Sequence, residues 1–260
     1  MKSISLYEDL STPIHRIEPL SKILYIIVAI LLPVIWRQKM VTLGWIVASL
    51  VILKLGKVLK RTLPLVGCSA IVILTVIIIQ GLFRAGNTIP IWTIGPLIFY
   101  KEGLIFGLGV GLNVLNLLFS VCILILTTKP SDLVEALVRI GLSPRLGYVL
   151  GSVFQIIPQM SSTMNTITDA QRSRGMETEG NLIIRIKAFF PLMGPVVMNS
   201  LIATRERAIA LEVRGFNSTQ KRTYINVYQP TRADRMSKIV LFAILGISLV
   251  GRLFVWQQLL

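Results

Sequence analysis

Two short stretches carry the side chains best suited to gripping something outside the chain: Gln171 to Gly175, Q-R-S-R-G, and Leu211 to Gly215, L-E-V-R-G. Each puts an arginine, Arg174 or Arg214, on the last turn of a long amphipathic pattern, with a glycine directly after it. The chemistry on offer is recognition, because a guanidinium can pair with carboxylates or backbone carbonyls. A helix C-terminus is partly negative and favours a cation, while glycine takes the left-handed conformation that stops the helix. Taken singly, such an end is a common cap. Two of them after matching helices put a docking role beside that plain reading.

Other chemistry finds little support. The single histidine, His15, has no cysteine or second histidine at ligand spacing, so no metal site is expected. Cys68 and Cys122 lie inside apolar runs and read as packing residues. The run G-L-G-V-G at 107–111 lies within an apolar stretch and lacks the strand and sixth-position glycine of a nucleotide loop. No G-x-x-x-x-G-K-[ST] occurs, so the chain has no such cradle for ATP phosphates. A membrane enzyme would need clustered carboxylates, a histidine or a nucleophile motif beside a span, and none is found. A self-contained secondary transporter or channel would need ionisable residues within spans, where only Lys22 and Arg252 come close.

The elements that must position the two arginines follow from composition. The 260 residues are 53% hydrophobic and only 15% charged, which points to a membrane protein. A net charge of +15 raises the question of nucleic acid, but the basic residues sit at the ends of apolar runs. Orientation in a bilayer explains them better, and no nucleic-acid partner is expected. Residues 1–19 form a polar tail with Pro13 and Pro19, with no cleaved signal peptide expected.

Residues 20–128 hold the first spans: Leu20 to Trp36, Met40 to Leu53, Leu63 to Phe83 and Gly103 to Thr127. A basic loop is predicted at Lys54, Lys57, Lys60 and Arg61, and an interfacial loop between Arg84 and Glu102. Within the fourth span Gly103, Gly107 and Gly111 fall four apart on one face and permit close approach of another helix. Beside them Gly109, Asn113, Asn116 and Ser120 form a small, polar stripe. Packing within the chain and contact with a separate subunit both fit this pattern. Charge asymmetry places the N-terminus, the basic loop and the segment after Thr127 in the cytoplasm of a multi-pass cell-membrane protein.

Residues 129–236 read as a cytoplasmic unit of about three helices. The first is predicted to be capped by Asp132 with Glu135 completing a capping box, and to end at Gly141 and Pro144. The second runs from about Arg145 to Arg174, with Leu146, Val149, Leu150, Val153, Ile157, Met160, Met164 and Ile167 opposite Gln155, Gln159, Ser162, Asn165 and Asp169. The third runs from about Leu182 to Arg214, bent near Pro191 and Pro195. The two long helices are expected to cross, bury apolar faces against each other or the membrane surface, and present both Arg-Gly ends away from the bilayer; Pro144 to Met160 and Phe189 to Ile202 are each nearly long enough to span, so a reading of the pair as membrane spans stays open beside it. After a polar stretch, residues 237–260 form a final span. The expected fold is therefore an all-α membrane protein of about five transmembrane helices with a helical coupling domain before the last.

The ordered set T-T-K-P-S-D-L-V-E-A-L, G-L-S-P-R-L, F-Q-I-I-P, A-Q-R-S-R-G and A-L-E-V-R-G-F resembles the transmembrane T component of energy-coupling factor transporters, the prokaryotic vitamin and metal importers. The opening H-R-I-E-P-L-S-K-I is similar to that family's N-terminal pattern. The resemblance implies two coupling helices ending in Ala-Arg-Gly that dock on two ATP-binding cassette ATPase subunits, which bind the ATP, while a small hydrophobic membrane subunit captures the substrate. It assigns docking to Ser173, Arg174 and Gly175 and to Val213, Arg214 and Gly215, with Ser173 and Val213 standing where the family has alanine. No enzyme activity or cofactor of the chain's own is implied. A conventional ABC permease also docks ATPases, but usually through one coupling helix per half.

Overall fold

The computed structural model describes residues 10, 12–36, 38–94, 97–176, 181–218 and 231–257. Most of the expected N-terminal tail, Arg37, Gly95, Pro96 and most of the polar stretch after Gly215 lie outside them. Among the described residues there are eight helices and one two-stranded hairpin, so the fold is all-α in class. The helices are α1 (Pro19–Trp36), α2 (Lys39–Leu55), α3 (Leu59–Phe83), α4 (Lys101–Thr127), α5 (Pro130–Arg139), α6 (Pro144–Ser173), α7 (Leu182–Val213) and α8 (Arg232–Gln257), with β1 (Pro90–Ile94) and β2 (Leu97–Tyr100) between α3 and α4.

Among the described residues α1, α3 and α4 are long and apolar enough to cross a membrane. The 17 residues of α2 rise about 26 Å, slightly less than a bilayer's hydrocarbon core. Two compact units form, Met1–Gly141 with Gln229–Leu260, and Leu142–Tyr228.

In the first unit α4 packs against α1, α2 and α3, and α1 against α2, α5 and α8. Its core is built from Val28, Ala29 and Leu32 of α1, Leu53 of α2, Phe119, Cys122, Ile123 and Leu126 of α4, and Leu241 of α8. Lipid tails are as apolar as leucine, so close van der Waals fit and interhelical hydrogen bonds carry this packing. Asn116 Nδ2 donates to the Ala29 carbonyl at 2.6 Å, joining α4 to α1. Thr42 Oγ1 donates to Asn113 Oδ1 at 3.3 Å, joining α2 to α4.

Three sequence-based expectations are corrected here. The segment between Arg84 and Glu102 is not simply a loop: Trp92 pairs with Phe99 and Thr93 with Ile98 in an antiparallel hairpin, which satisfies backbone groups next to an apolar span. The basic loop shrinks to a turn at Gly56 and Lys57, because Lys54 closes α2 and Lys60 and Arg61 lie in the first turn of α3. Asp132 does not cap α5. That helix starts at Pro130 after Lys129, whose backbone is extended, and proline's fixed φ sets the first turn without a side-chain cap. Ser131 Oγ donates instead to Asp132 Oδ1 at 3.1 Å.

The second unit is built on α6 and α7. Leu146 N–H donates to Ser143 Oγ at 3.3 Å, so Ser143 caps α6, and Pro144 is its first helical residue, while α5 has already ended at Arg139 with Gly141 turning left-handed at φ 119°. The pair runs antiparallel: Arg207 donates to Gln159 Oε1 at 2.6 Å, and Tyr148 meets Phe216 edge to face at 5.1 Å. Across the cleft between them Ile156, Gln159 and Thr163 face Asn199, Ser200 and Ala203. The seam therefore mixes polar and apolar residues, and the expected apolar stripe of α6 buries only in part, with Met164 and Ile167 half-buried. Leu146, Val149, Val153 and Ile157 stay about half exposed.

Candidate functional site

Both arginine ends are built by the same local rule. Ser173 is the last residue of α6 and Val213 the last of α7, and each is followed by an arginine with near-helical backbone, Arg174 at φ −89° and Arg214 at φ −79°. The next residue turns left-handed: Gly175 at φ 87° and Gly215 at φ 71°. A side chain there would strain the backbone by about 1–2 kcal/mol, so glycine lets the chain turn back on the helix. Two hydrogen bonds then close each end. At the first, Gly175 N–H donates to the Arg172 carbonyl at 2.9 Å and Met176 N–H to Gln171 at 3.0 Å. At the second, Gly215 N–H donates to Glu212 at 2.9 Å and Phe216 N–H to Leu211 at 2.9 Å. This paired pattern is the Schellman cap, and it leaves the arginine on the final turn.

Arg174 and Arg214 are exposed. Among the described residues neither guanidinium has a hydrogen bond or ion pair. Neither arginine turns back on its own helix carbonyls, as a basic residue at a helix end can.

The residues before the arginines differ. Ser173 Oγ donates back to the Asp169 carbonyl at 3.1 Å and is tied into its own helix. Val213 is 83% exposed, an apolar side chain standing in water beside Arg214. Phe216, just past the second end, rests on Tyr148 near the start of α6. The Arg214 end therefore sits by the beginning of α6, while Arg174 lies at its other end, roughly 40 Å further along that helix.

The glycine face of α4 lies in the first unit and meets α3. A methyl group added at Gly103 would collide with the Gln80 carbonyl, one at Gly107 would come within 2.9 Å of Ile77 Cα, and one at Gly111 within 2.7 Å of Ile73 Cγ2. Of the neighbouring polar stripe, Asn113 and Asn116 bond to α2 and α1 as described, and Ser120 Oγ donates to the Asn116 carbonyl at 2.8 Å. These residues and the arginine ends thus fall in different units. What sequence reasoning missed is a set of buried charges at Glu18, Lys22 and Asp234. The signal available for it was slight: three charged residues flanking apolar runs far apart in the chain.

Apolar helices fit to cross a bilayer, joined in one chain to two long helices that each end in an exposed arginine, define a membrane protein. The chain matches the CbiQ family, cobalt transport protein, over residues 10–225. It belongs to that family and is a transmembrane T component of an energy-coupling factor transporter. It is 27% identical over 236 residues to the energy-coupling factor transporter transmembrane protein EcfT of Staphylococcus aureus, covering 85% of each chain. It is 29% identical over 251 residues to that of Leuconostoc gelidum subsp. gasicomitatum, covering 91% of each. With that of Lacticaseibacillus paracasei it shares 28% identity over 257 residues, 92% of this chain and 94% of the relative.

Proposed function

We propose that this chain is the scaffold through which two ATP-binding cassette ATPase subunits act on a separate, small hydrophobic membrane subunit that binds the substrate, a vitamin, another micronutrient or a metal ion. The observation that carries this reading is the pair of exposed arginines, without a hydrogen bond or ion pair among the described residues, each held by a glycine-closed cap at one end of the α6–α7 pair. Ends so far apart along α6 suit one ATPase each. ATP is bound and hydrolysed on those partners, consistent with the lack of a phosphate-cradling loop in this sequence. Closure of the ATPases on ATP would drive the two helix ends, and α6 and α7 as levers would tilt or release the substrate-binding subunit against the spans. The glycine face of α4 serves as the packing seam for α3 in this reading. The N-terminus and the Leu142–Tyr228 unit lie in the cytoplasm, as the lysine and arginine distribution favours.

Pull-down from native membranes tests the reading. Two ATPases and a small, very hydrophobic third protein should co-purify with the chain. The double variant Arg174→Ala with Arg214→Ala should insert in the membrane normally and lose the ATPases. Normal uptake by that variant, or transport by the chain alone in liposomes without ATP, would overturn it.

A further inference from the structure

The chain leaves the first unit for the second after α5 and returns to it before α8, and both connections start from one buried cluster of charges. Glu18, Lys22 and Asp234 are each 5% exposed or less. Glu18 stands at the start of α1, where Ser21 N–H donates to its carbonyl at 3.0 Å. Its own N–H donates to Asp234 Oδ1 at 2.8 Å, and its carboxylate pairs with Lys238 of α8 and lies 3.9 Å from Arg139 of α5. Asp234 uses its other oxygen to accept the Thr231 N–H at 2.9 Å, closing the first turn of α8 as a capping box does. One turn along α1, Lys22 Nζ donates to the Thr127 carbonyl at 2.9 Å and to Thr128 Oγ1 at 3.1 Å, tying down the end of α4. Two consecutive turns of α1 thus hold the ends of α4 and α5 and the start of α8.

The positions of these contacts matter as much as their number. Arg139 is the last residue of α5 and precedes Leu142, where the second unit begins; Thr231 follows Tyr228, where that unit ends. Buried ion pairs are a poor way to gain stability over apolar packing, and their best-attested use is to fix one arrangement of the elements they join. Here the arrangement fixed is that of both covalent connections to the α6–α7 unit.

We propose that the Glu18–Asp234–Lys22 cluster is the joint through which motion of α6 and α7 is passed to the membrane helices, Glu18 acting as its positioning residue. Because the end of α5 and the start of α8 are both held to α1, displacement of the second unit is passed to the spans. This rests on the reading that ATPases drive the chain.

Hydrogen exchange read by mass on the complex purified with its ATPases, with and without ATP and vanadate, tests the joint without knowledge of the substrate. In the wild-type complex the nucleotide should change exchange in 142–228 and also in α1 and the last turns of α4. In Glu18→Gln and in Asp234→Asn, ATPase co-purification should persist and hydrolysis stay within about twofold. The response in 142–228 should remain, while that in α1 and α4 falls at least fivefold. Lys238→Gln, at a half-buried position, should do the same more mildly and serves if the other two fail to insert. A full response of α1 and α4 in the variants, no such response in the wild type, or loss of the response everywhere would overturn the proposal. If the wild type brings down no ATPase, the functional reading falls instead. The joint is then judged on the chain alone, where either variant should raise exchange in α5 and the start of α8 at least tenfold; unchanged protection there would sink it.

Discussion

The two arginine ends share a backbone and differ in their surroundings. At each, a glycine in the left-handed region lets two amides turn back to the helix carbonyls, and the arginine is left exposed. Ser173, however, is bound into α6, whereas Val213 stands 83% exposed at the end of α7. The second end is also braced from outside, by Phe216 on Tyr148. The difference teaches that the cap fixes where an arginine emerges, while its neighbours decide how closely a partner can approach. On this view the ends dock by one geometry and hold with unequal strength, the Arg214 end being the weaker.

The largest effect should come from the arginines themselves. Truncating an arginine that pairs with a buried partner carboxylate typically costs about 2–5 kcal/mol of binding, roughly 30-fold to 4,000-fold. Arg174→Ala and Arg214→Ala should both fall in this range for ATPase affinity measured on purified subunits, with Arg174→Ala the more damaging. Equal losses would remove the asymmetry, and a reversed order would invert it.

Next come the glycines. Gly175→Ala and Gly215→Ala each force a side chain into the left-handed region, at about 1–2 kcal/mol. Faster amide exchange at Met176 and Phe216 respectively should report the loosened caps, and the two shifts should be alike because the backbones are alike. Phe216→Ala should loosen only the second end, by about 0.5–1.5 kcal/mol for the lost aromatic pair. Exchange at the Phe216 position would then quicken while that at Met176 stays fixed.

The smallest effects concern the residues before the arginines. Val213→Ala removes the exposed bulk and improves helix propensity by about 0.5 kcal/mol, so ATPase affinity at the second end should rise slightly. Ser173→Ala should change affinity by less than about 0.5 kcal/mol. A gain at Ser173 equal to that at Val213 would show that valine's bulk is not what separates the ends.

Much of this comparison was legible in the sequence, because it depends on neighbours in the chain. Helical spacing, an arginine and a following glycine suffice to locate α6, α7 and their caps within a residue. The segments around the two arginine ends also carry part of the ordered set by which the family is recognised. What was not legible depends on distant partners or on competing local signals. Glu18 and Asp234 meet across 216 positions, and no local pattern links them. The hairpin was hidden because Gly95-Pro96 reads as loop punctuation, although β-branched and aromatic residues on both sides, I-P-I-W-T-I and L-I-F-Y, carry a strand signal. At α5 two signals competed: Asp132 has the chemistry of a cap, but Pro130 claims the first turn.

The glycine caps also work as an angular reference. A helix turns by about 100° and advances about 1.5 Å with every residue, so the residue at which it stops decides the compass direction in which its last side chain faces. Moving Gly175 or Gly215 one place along the chain would shift the arginine by only about 1.5 Å along the helix axis yet swing it through more than a quarter of a circle. Each glycine sets the azimuth of one guanidinium, and under the proposed function, in which two ATPases push on two helix ends, both bearings must be fixed before either end can be pushed.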